Sequence, residues 1–551
     1  MPDIKRKCRV SGKEFVITEW EQEFLVKRNL SLPTLCVEES HRRRLAYRNE
    51  RRLYKDTCDL TGKSMISLYS PNKNFKVYSQ EAWWSDDWDS RSYGRNYDFN
   101  KPFFEQFQAL KREVPRLSLM NMKAENSEFC NVTTSNKNCY LVFGGDYNED
   151  CIYSVFCFHS KNCSDLYWVN RAELCYECVD CDDIYNCRFC AHTYNSRDSD
   201  FLFDCRGCSD CFGCVGLRNK RYCFFNKQYS KEEYQTKVAD YDLRFHENLK
   251  RAEEDFLRFK IEKPNRANFI ISCENCSGNN LINCKNCFDC FDVDGSAEDM
   301  RSIILAGWNV QNLLRTDHSG HGTHDIYEVQ SAASSVNSYF GTYVWNSYDT
   351  FYCDMVVNNS HDLFGCCNMK KSAYCILNKQ YSKEEYFDLK ARIIEHMKST
   401  GEWGEFFPIR NSPFAYNETI ANDYLPLTKD VALKAGLQWQ DEELKKMGSG
   451  DKVPDSIDEV GEDIYGKTFV CAETGRPYKV NETEIKLYKR LSVPVPILAP
   501  ETRNVARFNS RNPWRSWQRK CAKCGMSVNS SFAPNRPEVV YCEKCYMAEV
   551  Y

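Results

Sequence analysis

The sequence predicts a mainly β, multidomain protein in which Cys-rich parallel β-helix (solenoid) arrays are flanked by duplicated zinc-ribbon or treble-clef-like terminal modules, with helical connectors. Three observations predict it. First, the start of the chain aligns without a gap on its end: Cys8, Cys58 and Tyr78 recur at Cys471, Cys521 and Tyr541, each 463 positions on (471−8, 521−58, 541−78), and Gly12, Pro33, Arg44, Arg48 and Gly62 recur at Gly475, Pro496, Arg507, Arg511 and Gly525. Second, a further duplication lies between these ends: residues 212–234 and 364–386 carry the same NKQYSKEEY string, 152 positions apart (375−223), and each closes a Cys-rich stretch. Third, a short unit of Asp, an apolar residue and usually an aromatic recurs at Asp165, Asp183, Asp210, Asp289, Asp325, Asp349 and Asp362, more loosely at Asp200, with several spacings of 17, 18 or 36. A turn-forming residue before a short apolar run, repeated at such a period, is the signature of stacked short strands that bury an inner face only by stacking.

The elements follow in order. Residues 1–99 form a degenerate double zinc-ribbon-like module and 100–126 a helical connector bounded by Pro102 and Pro115. Array 1 covers 127–229. A second helical connector, 230–265, opens on a Ser230/Glu233 capping box. Array 2 covers 266–381, followed by a helix and linker, 382–460, opening on Ser382/Glu385 and reaching Gly401. The stretch 448–463 is polar without an apolar period and reads as linker. Residues 461–551 form the C-terminal module.

Composition narrows the function classes. A formal charge of −4 over 551 residues leaves no global field for nucleic acid or membrane. No apolar run approaches the ~20 residues that span a bilayer, and the opening MPDIKRK lacks a signal peptide's apolar core. The expectation is a cytoplasmic protein that does not engage membranes, whose 32 Cys are reduced thiols and metal ligands rather than a disulfide framework.

The strongest chemical signal is Cys521-x2-Cys524 followed by Cys542-x2-Cys545. Two such knuckles can present four thiolates tetrahedrally to one Zn(II) per chain, with iron in the same geometry as the rival; an all-Cys set leaves no open position for catalysis. The matching N-terminal positions hold Cys58, Thr61, Ser79 and Ala82. Upstream, Cys8-Arg-Val-Ser11-Gly12 and Cys471-Ala-Glu-Thr474-Gly475 read as knuckles that kept one Cys, with Cys36 to Glu39 and Ala499 to Thr502 where partner pairs would stand.

On these residues the segment CRVSGKEFVITEWEQEFLVKRNLSLPTLC resembles the small bacterial probable-zinc-ribbon (treble-clef) family, whose pattern is a Cys knuckle, a Phe, an acidic-aromatic helix, a Pro and a second knuckle. With YDFNKPFFEQFQAL (97–110) and SPFAYNETIANDYLPLT (412–428), the chain is more broadly similar to uncharacterised zinc-ribbon proteins of the candidate phyla radiation. The resemblance implies ribbons at both ends and transfers no activity.

Weaker constellations remain. Arg43, Arg44 and Arg48, with Arg511 and Arg515 near Trp514 and Trp517, could contact phosphates and stack on bases, or form solvated helix faces paired with nearby Glu. His318, His321 and His324, in DHSGHGTHD, could bind a divalent metal, or form a plain polar loop. The overlapping CxxC pairs of the arrays, such as Cys175/Cys178/Cys181 and Cys284/Cys287/Cys290, could add further metals; in a straight strand residues three apart face opposite sides, so a shared metal needs a corner between them. The sequence therefore points to a non-enzymatic zinc-binding scaffold with an unknown protein partner. An RNA- or ribosome-associated nucleic-acid binder comes second, and an enzyme with a metal site in the solenoid third.

Overall fold

The computed structural model of the chain describes residues 2–441 and 448–550. The protein is mainly strands and forms two compact units, each assembled from distant parts of the chain: 1–119 with 268–440, and 120–267 with 441–551. Each unit thus combines one terminal module with one Cys-rich array, the N-terminal module with array 2 and the C-terminal module with array 1.

In array 1 the strands Val155–Phe158, Tyr167–Glu173, Val179–Arg188, Tyr194–Phe203, Ser209–Val215 and Arg221–Phe224 pair in parallel, each with the next in the chain. The register advances by 12 residues per pass, as in Tyr167↔Val179 (179−167) and Asp182↔Tyr194 (194−182). From Asp150 to Leu174 and on to Asp204, every third residue has φ between 46° and 60°. L residues adopt this left-handed region reluctantly, and Asn and Asp most readily. Each 12-residue pass therefore turns four times. All seven strict repeats of the Asp unit (165, 183, 210, 289, 325, 349 and 362) sit at such turns, whereas the looser Asp200 does not. Stacked Asn and Asp side chains tie successive turns together, as in Asn126 to Asn138 (3.1 Å), Asn138 to Asp150 (3.1 Å) and Asn186 to Asp198 (2.9 Å).

This geometry corrects the straight-strand expectation for the CxxC pairs. With a turn at every third residue, residues three apart face the same way. Cys175, Cys178, Cys181, Ile184, Cys187 and Cys190 all enter one core with Leu166, Val169 and Leu202. Array 2 repeats the pattern with Cys284, Cys287, Cys290, Val293, Met300, Ile303, Leu313 and Ile326, in passes of 11, 12 or 13 residues. Four inward side chains per pass leave a narrow interior, which favours small residues. Cys fits as a small apolar group with a weak donor. The Cys151 thiol, for example, meets the carbonyls of Glu149 and Ser160, both at 3.4 Å, and Cys178 those of Tyr176 at 3.4 Å and Cys187 at 3.5 Å.

The NKQYSKEEY string terminates each array. Arg221–Phe224 turns back antiparallel onto Lys227–Gln228, and Ala373–Ile376 onto Lys379–Gln380, covering the last edge of the parallel stack. The Ser230/Glu233 and Ser382/Glu385 capping boxes then start helices Lys231–Ala239 and Lys383–Thr400; Gly401, at φ 74°, ends the second. The connectors contain helices Phe103–Glu113 and His246–Glu262. The linker reading of 448–463 is corrected: its Ile457 and Val460, with Ile464 just beyond it, are buried against Cys471, Ile485 and Tyr488 in the C-terminal module's core. Three apolar residues at spacings of three and four are enough to dock one side of a short, otherwise polar segment.

Candidate metal centre

The two terminal modules contain four knuckles of one geometry. Each begins on an antiparallel hairpin, Ile4–Lys7/Glu14–Ile17, Tyr54–Thr57/Ser64–Ser67, Phe469–Val470/Pro477–Tyr478 or Trp517–Lys520/Ser527–Ser530. The Cys that follows the first strand accepts on its carbonyl from the amide of Gly12, Gly62, Gly475 or Gly525, at 2.8–2.9 Å. Those glycines have φ of 67–75°, the left-handed turn that lets a knuckle close over its own first residue. The amide after each Cys (Arg9, Asp59, Ala472, Ala522) donates to the segment bringing the second half of the knuckle, at 2.9–3.1 Å.

Only the side chains differ. In the last knuckle the Sγ atoms of Cys521, Cys524, Cys542 and Cys545 all lie within 4.8 Å of one another. Cys524 and Cys542 are 3.8 Å apart, matching the about 3.8 Å edge of a tetrahedron built on metal–sulfur bonds of about 2.3 Å. Burial would raise the Cys521 thiol, but amides of Cys542, Cys524 and Lys523 directed at its sulfur outweigh this and bring it down to about 6. Thiol contacts from Cys542, then burial, push Cys545 up to about 12. Four soft donors converging with amide support can hold a metal ion. In the other knuckles hydroxyls replace the ligands: Ser11 Oγ lies 3.7 Å from Cys36 Sγ, and Thr502 Oγ1 3.4 Å from Cys471 Sγ.

The three histidines of the array 2 loop do not converge. His318 is buried near Glu50, His321 stacks on Trp308 with centroids 5.2 Å apart, and His324 pairs with Asp325 at 3.0 Å. Among the described residues the four-cysteine group alone brings three or more His, Cys, Asp or Glu donors together in this way.

The basic residues are placed differently from a phosphate-binding face. In the C-terminal module Arg503, Arg507 and Arg511, one helical turn apart, meet acidic turns of array 1. Arg503 grips Asp165 with two bonds of 3.0 and 3.1 Å, Arg507 reaches Asp165 at 2.7 Å and Glu177 at 2.8 Å, and Arg511 holds Asp180 at 2.7 Å. Asp165 and Glu177 lie one 12-residue pass apart (177−165) and Asp180 one turn further along the second pass, so the three arginines span two adjacent passes, whose spacing of about 4.8 Å is close to the helical pitch of about 5.4 Å. In the N-terminal module Arg44 pairs with Asp317 at 2.7 Å and with Glu328, Arg48 with Glu50 at 2.5 Å, and Arg43 with Glu405 at 3.0 Å. Arg44, Arg48 and Arg511 are buried. Of the five arginines singled out from sequence, Arg515 alone is exposed, over the Trp517 ring. Asp165 was read from sequence as a repeat turn and not as an arginine's partner; the i, i+4, i+8 spacing of Arg503, Arg507 and Arg511 was the available signal for the pairing.

Array 1 also carries an open groove of about 630 Å³ running across successive passes, lined by His159, Lys161, Glu173, Tyr185 and Arg197 among others. Tyr185 is 45% exposed.

No family model matches the chain, and no curated protein matches it. Among solved structures, one described as an acetyltransferase candidate from Desulfovibrio desulfuricans G20 is 9% identical over 51% of this chain and 82% of that one, with a TM-score of 0.11. A likeness that slight carries no argument about fold or activity.

Proposed function

We propose that the chain is a non-enzymatic, cytoplasmic binding or scaffold protein built from two parallel β-helices, each gripped by a treble-clef-like double module, with one structural Zn(II) per chain in the C-terminal ribbon. The 12-residue register with its turn at every third residue supports the β-helix reading. The all-thiol donor set favours Zn(II), and its closed coordination suits a staple rather than a catalyst. The observation that carries the binding role is the array 1 groove. The modules' buried arginines are consumed in holding the arrays, whereas Tyr185 and Arg197 stand at the surface along one side of the groove. A protein segment laid along the stack fits it, with the exposed ring as anchor.

Two measurements test the reading. Elemental analysis of anaerobically purified protein should give one zinc and no iron per chain, with the zinc lost in C521S/C545S; iron in its place would replace the zinc assignment. Affinity co-purification should recover a partner that Y185A/R197E loses while keeping wild-type circular dichroism. Retention of that partner by the double variant would remove the groove from the account, and turnover sensitive to His318 or His321 would replace the scaffold by an enzyme.

A further inference from the structure

The first two passes of array 2 hold five thiols arranged unlike the C-terminal group. The register at this end advances by 11 residues (Ile270↔Leu281 and Glu274↔Lys285), which sets Cys273 beside Cys284 and Cys276 beside Cys287 on adjacent passes. The Cys284 amide donates to Cys273 Sγ at 3.3 Å, which fixes the lower sulfur directly against the upper pass. Within the upper pass Cys284, Cys287 and Cys290 turn inward at successive positions. Cys273 and Cys276 are half-buried, whereas the other array cysteines are buried, so this run of thiols reaches solvent at its lower rim.

The arrangement selects among metals. Zn(II) requires about four donors converging on one point, which these thiols do not offer. A chain of neighbouring pairs, each sulfur adjacent to one or two others, suits a soft monovalent cation that is satisfied by two or three thiolates.

We propose that this end of array 2 is a Cu(I) site, in which a cation is held two-coordinate between the thiolates of an adjacent pair, Cys273/Cys284 or Cys276/Cys287. Binding is coordination without electron transfer: each thiol that ligates releases its proton to solvent, and copper remains Cu(I). The site does not depend on the scaffold role or on the C-terminal zinc.

The test uses the reduced, zinc-loaded full-length protein under anaerobic conditions, titrated with Cu(I) as its acetonitrile complex. Thiolate-to-Cu(I) absorption and native mass spectrometry give the stoichiometry. C521S/C545S is expected to keep the array copper, and C273S/C276S, changed at the half-buried rim, to bind less copper than wild type while retaining its zinc. Because a variant can misfold, alkylation of the wild type supplies an independent arm: Cu(I) should slow iodoacetamide modification of Cys273 and Cys276 at least tenfold, read by peptide mass. Equal copper uptake by wild type and C273S/C276S, uptake abolished by C521S/C545S, or alkylation unchanged by Cu(I) would each overturn the proposal.

Discussion

Arg507 shows how the modules are held at the level of single side chains. Its guanidinium is buried, and it neutralises two carboxylates of consecutive passes, Asp165 and Glu177. Burial raises the Asp165 carboxyl, but Arg503 and Arg507 outweigh it and hold the group below the ordinary carboxylate value. Removing Arg507 leaves Asp165 to Arg503 alone and strips Glu177 of its guanidinium, so R507M should cost about 3 kcal/mol by denaturant unfolding; a loss below about 1 kcal/mol would mean that water reaches these carboxylates. His192 gives a pH test in the same unit. Burial, the largest influence, lowers its imidazole to about 3. The unfolded chain takes up the proton near 6.5 and the folded chain near 3, so this stability is complete above about 6.5. It declines as pH falls towards 3, by at most about 1.4 kcal/mol per pH unit. H192Q should flatten that part of the stability–pH curve; an unchanged slope would assign it to other groups.

At the level of the element, the left-handed turn at every third residue governs the arrays, and Asp183 tests it because its side chain is exposed there at φ 54°. Glycine adopts that conformation freely, whereas a β-branched residue does not. D183G should stay within about 0.5 kcal/mol of wild type and D183V should lose about 1–2 kcal/mol, measured by chemical denaturation; equal effects would remove backbone conformation as the cause. This rule also explains what the sequence disclosed. The repeated Asp marked turns because Asp tolerates φ > 0. The pass length stayed hidden: with four turns per pass, Asp can occupy any of them, so a separation of 18 residues is one and a half passes of 12. The inward direction of residues three apart stayed hidden for the same reason, since strand alternation was the wrong rule for a chain that turns every third residue. The four-cysteine cluster was readable because its ligands are local pairs. The pairing of Arg507 with Asp165 was not, because it joins residues 342 apart (507−165) through two duplications that align separately.

For the whole molecule, the two units each have a hydrophobic core, a terminal module and an array, yet among the described residues the four-thiol group lies in the unit of array 1 alone. In that unit the strand Val539–Tyr541, which leads into Cys542, pairs with Pro264–Arg266, and Tyr546 from the helix that follows Cys542 donates to Asp204 of array 1 at 2.5 Å. A metal fixing Cys542 and Cys545 therefore also fixes the strand and helix that seat this module on its array. In the other unit the matching strand Val77–Tyr78 pairs with Arg116–Leu117 beside a knuckle closed by hydrogen bonds, among them the Ser79 amide to Cys58 Sγ and the Gly62 amide to the Cys58 carbonyl. Metal should accordingly stabilise one unit selectively. Calorimetry of the full chain should resolve two transitions, one lowered by R44M and the other by R507M, each by roughly 4 °C or more for a loss of several kcal/mol. Chelation of the bound metal should lower the R507M-sensitive transition and leave the R44M-sensitive one in place. If chelation lowered both equally, the metal would be acting on the molecule as one cooperative block, and the division of stability between the two units would have to be abandoned.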